Sequence, residues 1–272
     1  MVKFAHTVDI YRRLISVSFR GQMQYRVSFI FDILATALIT ALSFGSIAMI
    51  LQRFNNIAGW TIYELAFLFG MAEVAFGSMD MVFSGFDPPY FGRRVRFGSF
   101  DQMLLRPVSL IAQVLGSQFI LRRIGRIIQG LIILVLSLVY VNLDWTMVKV
   151  ILIPVVFVSL FIFFGSLFIM GATLSFWTIE SLEVVNIFTY GGTEMIQYPM
   201  DIYPNIIRFF FTYILPTIFL LYSPALYIFD KPDPLGLPSF SPFLSPIVAV
   251  AIFFLAIAFW KYGLRFYQST GS

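Results

Sequence analysis

Glu73 and Asp80 stand inside a stretch apolar enough to lie in a membrane, and they are the first candidates for chemistry. They are seven residues apart, so a helix puts them on one face, together with Gly70 and Gly77. Asp32 is a third acid, near one end of another apolar run. Ionisable groups in a bilayer are costly and usually face a bundle interior or a wet cavity. Two readings follow. The carboxylates line a substrate pathway or proton relay, or they bond neighbouring helices that the glycines allow to approach closely. Glu73 suits both equally; Asp32 and Asp80 suit the second better.

Hydrolytic and metal chemistry find little to work with. His6 is the only histidine and there is no cysteine. A zinc site would need carboxylates alone, an unusual donor set. No G-x-x-x-x-G-K-[ST] run occurs, so the loop that cradles nucleotide phosphates is missing from the sequence.

A second constellation is basic. Residues 86–109 read FDPPYFGRRVRFGSFDQMLLRPVS in an otherwise greasy chain. Ser99 and Gln102 form an S-x-x-Q capping pattern. Pro107 disfavours helical geometry at Arg106. The expected result is a two-turn helix over 100–105, showing Phe100, Met103 and Leu104 on a polar frame. Such an apolar knob, held between two spans, suits insertion into a groove of a cytoplasmic partner. The plain alternative is a basic surface loop. Farther on, Arg122, Arg123 and Arg126 could hold anionic headgroups or line a cytoplasmic entry, but suit snorkelling anchors at the inner interface better.

The elements that must position these groups are membrane spans. The chain has 272 residues, 59% hydrophobic and 12% charged, about half the charge of a soluble domain. Uncharged runs at 33–52, 150–179 and 234–260 meet the length of about 20 residues that a crossing helix needs. The fold class is therefore all-α, a polytopic membrane protein. Spans are expected at 27–51, 60–86, 124–141, 150–175 and 242–260. Pro107, a favoured first helical residue, should open a long helix running to about 141. Residues 4–25 read as an interfacial amphipathic helix, with Phe4, Val8, Tyr11, Ile15 and Phe19 on one face and Asp9, Arg13 and Arg20 opposite. Arg12 and Arg13 should meet lipid headgroups there. The remaining span is either 206–229, which holds Arg208, Pro216 and Pro224, or 177–198, which holds Glu180, Glu183 and Glu194. Both choices give six spans.

Orientation follows from the basic residues. With both termini in the cytoplasm, the N-terminal region, 87–126 and the tail hold 14 of the 18 Lys and Arg. Basic residues that alternate with spans do not suit nucleic acid as a partner.

The run GSFDQMLLRPVS resembles a signature of bacterial ABC transporter permeases of the type-2 exporter class, which carry a G-x-x-D-x-x-LLRP-like stretch after the second span. SFWTIE, QYPMDIYPNIIRFF, ILP and SPALYI, in that order, also look like that family. The resemblance implies several things. Residues 87–109 become a coupling segment that docks on a cytoplasmic ABC ATPase subunit. The docking residues would be Arg93, Arg94, Arg96, Phe100 and Asp101, with Met103, Leu104, Leu105 and Arg106. Span five becomes 177–198, and 202–228 become re-entrant helices at the outer face. ATP and Mg would bind the partner subunit, and this chain would bind no cofactor. A second permease, identical or related, would complete the pathway in the bacterial inner membrane. The cargo would be amphipathic, drug-like or lipid-like. Other classes remain: a proton-coupled carrier or channel using the intramembrane carboxylates, or a scaffold that binds a partner without transport.

Overall fold

A computed structural model describes residues 2–54, 56–178 and 183–269. Helices dominate, and the described residues contain no β-strand beyond an isolated bridge between Ile57 and Trp60. Five helical stretches are long and apolar enough to cross a membrane: Arg26–Leu51, Ile62–Arg96, Leu121–Tyr140, Met147–Leu174 and Ser245–Gly263. A sixth is reached if the bent pair Asn205–Ile214 and Thr217–Ile228, which turns through 77°, counts as one span. The chain is an all-α polytopic membrane protein.

Helix α1 (Val2–Gln24) leads after Tyr25 into α2 (Arg26–Phe54). α3 (Ile62–Phe83) is the centre of the bundle. It is apolar all round, the pattern of a helix enclosed on every side. In its span 83% of the most apolar window is buried, against 11% for α2, which lies at the periphery. A cap starts α3: the Glu64 carboxylate accepts from Thr61 N at 2.7 Å and from Thr61 Oγ1 at 3.0 Å. α7 (Ile124–Tyr140) and α8 (Met147–Leu174) pack on α3, and α13 (Ser245–Gly263) packs on α8.

Between α3 and α7 the chain forms α4 (Pro88–Arg96), a single turn α5 (Asp101–Leu104) and α6 (Leu110–Ser117). Two expectations fail here. Pro107 does not open a helix; α6 begins at Leu110. The helix expected to run on to 141 breaks at 118–123, where Gln118 is extended and 121–123 form a 3-10 turn. The break persists because its backbone groups find partners. Ile120 N donates to Met81 O at 3.2 Å, Leu121 N donates to Gln22 Oε1 at 2.9 Å, and Gln22 Nε2 donates to Phe119 O.

After α8 come short pieces: α9 (Glu183–Asn186), a π-turn over Ile187–Gly191, and α10 (Gly192–Ile196). The expected span 177–198 falls partly on residues 179–182, Glu180 among them, which lie outside the described residues. α11 (Asn205–Phe209) and α12 (Tyr222–Ile228) belong to the bent pair that precedes α13.

Candidate functional site

The basic segment has an inner face and an outer face, and helix periodicity separates them. On α4 the buried residues are Pro88, Phe91, Gly92 and Val95, spaced by three and four. Arg93, Arg96 and Phe97 therefore turn outward. Gly98, at φ +67°, ends α4 in the left-handed conformation that favours glycine. The next residue, Ser99, donates its hydroxyl to Arg94 O at 3.2 Å. That bond replaces the expected cap, and α5 is one turn rather than two, without a side-chain cap.

Phe100 corrects the sequence reading most clearly. Expected as an exposed knob, its ring is fully buried, with centroids 5.3 Å from Phe91, 5.6 Å from Phe176 and 5.0 Å from Tyr267. Met103 is buried too. Gln113 Nε2 donates to Met103 O and Val108 O, at 3.0 Å each, and ties α6 to the segment. Two aromatic or thioether side chains pack more favourably in the core than in water, so the segment turned them inward. Left outside are Phe97, 70% exposed, Leu104, 42%, and Leu105, 85%. Phe97 was missed by sequence reasoning, although the three-and-four spacing of 88, 91, 92 and 95 would have found it. Arg93, Arg96 and Arg106 are exposed along the same segment, and Arg94 donates to Tyr90 OH at 2.6 Å. A cavity of about 580 Å3, lined in part by Leu14, Tyr90, Arg93, Arg94, Phe97 and Arg106, opens beside it.

The segment is also fastened to the far end of the chain. Asp101 accepts from Tyr267 OH and from Ser269 Oγ, both at 2.6 Å. These two bonds stabilise the charged form and hold the Asp101 carboxyl below the usual carboxylate range. Trp260, on α13, packs edge-on to Phe86 and Phe100.

Within the bundle, Glu73 and Asp80 are both buried and both paired. Arg126 makes a two-pronged contact with Glu73: Nη2 donates to Oε1 at 2.7 Å, and Nε donates to Oε2. Gln197 Nε2 adds a third bond to Glu73 Oε1 at 2.8 Å. Seven residues nearer the basic end of α3, Asp80 Oδ2 lies 2.6 Å from Arg123 Nε. The ladder thus joins α3, α7 and the stretch after α10. It needs close helices. A Cβ on Gly70 would come 2.8 Å from Leu134 N, and one on Gly130 would come 2.8 Å from the Glu73 Cβ. Only glycine permits that approach.

The ladder overturns one expectation. Arg123 and Arg126 are not lipid anchors, because a buried carboxylate claims each one. A buried charge needs a partner: Glu73 is paired with and hydrogen-bonded by Arg126, while Asp80 is paired with Arg123 by proximity, with no hydrogen bond between Asp80 Oδ2 and Arg123 Nε. Arg122 keeps a half-exposed position, with Nη1 at 3.9 Å from Asp32 Oδ2. Asp32 is likewise about half exposed and faces Arg122 where α2 meets the 121–123 turn. Arg12 and Arg13 are exposed, and Arg13 Nε donates to Asp9 at 2.9 Å.

A third network, absent from the sequence reading, closes the end away from the basic segment. Asp201 accepts from Trp60 Nε1 at 3.2 Å and from Tyr222 OH. Arg208 donates to Asp201 O and, at 2.7 Å, to Tyr203 O. Lys231 Nζ reaches Gly59 O at 2.8 Å and Glu64 Oε1 at 3.1 Å, and Lys149 Nζ lies 2.5 Å from Asp230. Among the described residues no group of three or more His, Cys, Asp or Glu is placed to hold a metal ion.

A family model described as ABC-2 family transporter protein matches residues 37–271. No curated protein and no solved structure matches the chain.

Proposed function

The chain belongs to the ABC-2 family of transporter proteins, and we propose that it is the membrane subunit of an exporter driven by a separate ATPase. A transport role as a permease follows from the family. The finer reading concerns the motor, the partner and the cargo. Its main support is the two-faced segment 87–109. The inner face is locked into the bundle through Phe91, Phe100 and Met103, while Phe97, Leu104 and Leu105 stand exposed on a segment that also exposes Arg93, Arg96 and Arg106. An apolar tip in a charged frame is a docking shape, and its rigid root would carry a push inward.

In this reading the ATPase subunit engages Phe97, Leu104 and Leu105, with Arg93, Arg94, Arg96 and Arg106 meeting its acidic groups. ATP and Mg stay on that subunit. Closure of the motor displaces the segment, and the displacement has two outlets. One is α3, continuous with α4 through the 3-10 turn Ser84–Phe86. The other is α13, reached through Asp101, Tyr267 and Trp260. The ladder Glu73–Arg126 and Asp80–Arg123 then holds α3 to α7 as a unit, and the Asp201 network latches the opposite end. A second permease completes the pathway, both termini lie in the cytoplasm of a bacterial cell, and the bent pair within 202–228 is re-entrant at the outer face. The cargo is amphipathic. ATP can drive the cycle only by interacting differently with the inward and outward states.

A proton-coupled carrier has less support, because Glu73 and Asp80 are each neutralised by arginine, which does not release its proton in proteins. Co-purification with candidate ATPase subunits, followed by vanadate-sensitive ATPase measurement, tests the proposal. Leu105→Asp should abolish association and leave the fold intact. Association unchanged by Leu105→Asp and Phe97→Asp would refute the docking assignment.

A further inference from the structure

The elbow between α1 and α2 leaves a cavity of about 490 Å3 against the break between α6 and α7. Gln22, Tyr25, Ser28, Asp32, Gln118 and Arg122 are among its walls. Two spans, Arg26–Leu51 and Leu121–Tyr140, begin at its rim. The cavity therefore sits at the level where lipid headgroups meet the chain.

Three polar groups here have unspent capacity. Arg122 Nη1 and Asp32 Oδ2 are 3.9 Å apart, too far for a hydrogen bond, and each side chain is about half exposed. Gln118 Oε1 is shielded from solvent and accepts no hydrogen bond. Gln22, by contrast, is used at both ends on the backbone of the break. The cavity thus offers a cation and an anion 3.9 Å apart, and an unpartnered acceptor on Gln118, another of its walls.

We propose that this cavity seats the headgroup of a zwitterionic phospholipid carrying a primary amine. Arg122 takes the phosphate, for which its planar fork is suited. Asp32 and Gln118 accept from the ammonium, which has three N–H donors. A choline headgroup has none and leaves both acceptors unsatisfied. A glycerol headgroup satisfies Arg122 but leaves Asp32 without a counter-charge. The acyl chains run along the open side of α2, past exposed Phe31 and Leu34. The site concerns the elbow, not the transport path, and does not depend on the cargo or the motor.

Native mass spectrometry of the full-length protein, delipidated and then titrated with phosphatidylethanolamine, phosphatidylcholine or phosphatidylglycerol, tests it. The wild type should retain the ethanolamine lipid about tenfold better than the other two. Asp32→Asn should erase the preference over choline lipid while binding persists. Arg122→Gln should weaken all three. Gln118→Leu removes no existing side-chain bond, so the fold should survive and the ethanolamine preference should still fall. Equal retention of ethanolamine and choline lipids by the wild type would overturn the proposal, as would a preference unchanged in both Asp32→Asn and Gln118→Leu. Soluble phosphoethanolamine binding as tightly as the lipid would assign the cavity to a free ligand and overturn the lipid assignment.

Discussion

Glu73→Gln should cost the fold about 3–5 kcal/mol, the range for breaking a buried ion pair by removing one partner. Glu73 is 3% exposed and accepts three hydrogen bonds, two from Arg126 and one from Gln197. The amide keeps the shape and loses the charge. Arg126, whose side chain is 13% exposed, is then left as a cation without its counter-charge. The predicted loss corresponds to roughly a hundred- to several-thousandfold in the unfolding equilibrium. Replacing both partners, Glu73→Gln with Arg126→Met, removes the orphaned charge and should recover most of the loss. Reversible unfolding in mixed detergent micelles, followed by tryptophan fluorescence, would measure the two single variants and the double variant as a cycle. A coupling energy of at least about 2 kcal/mol is expected for groups in direct contact. A single-variant loss under about 1 kcal/mol, or additive losses in the double variant, would refute the ladder as an element that holds α3 to α7.

Phe100→Ala should destabilise the protein by about 3–5 kcal/mol because its ring fills the cluster with Phe91, Phe176 and Tyr267, whereas Leu105→Asp should change stability by about 0.5 kcal/mol or less; the same unfolding assay separates them. Gly70→Ala must push Leu134 and its backbone away, and a loss of about 1–3 kcal/mol is expected from overpacking, read by thermal unfolding in detergent. The tail contact should depend on pH. Asp101 has its folded pKa lowered by Ser269 and Tyr267, so the contribution is present above the unfolded value of about 3.9 and is lost as pH falls through the lower folded value. Hydrogen exchange across 264–269 should therefore stay protected at pH 5 and lose protection only below about pH 3.9. Tyr267→Phe should move that loss to higher pH.

The spans were legible because a bilayer imposes a length and a polarity that a sequence must satisfy locally. The runs at 33–52, 150–179 and 234–260 each overlap a helix long enough to cross a membrane, and their uncharged length says why. The break at 118–123 was not legible. It depends on Gln22, nearly a hundred residues earlier, to satisfy the freed backbone. Phe100 shows the same limit. S-x-x-Q is a local signal, and it lost to an aromatic cluster assembled from α4, the end of α8 and the tail. The Asp201 network was invisible for a related reason, since Trp60 and Tyr222 come from distant parts of the chain.

The sequence by itself determined the class of protein, the placement of most spans and the existence of a basic, Gly- and Pro-punctuated segment between two of them. These are matters of hydropathy, charge and spacing, which act over a few turns of helix. Tertiary structure alone decided how the charges are spent. Arg123 and Arg126 look like lipid anchors in sequence, yet they turn inward because α3 and α7 approach closely enough at Gly70 and Gly130 to bring Asp80 and Glu73 within reach. Arg122, their immediate neighbour, has no buried acid to meet and stays half-exposed beside Asp32. A buried charge must have a partner, and which charge is buried is a property of the packed helices rather than of the run RRIGR.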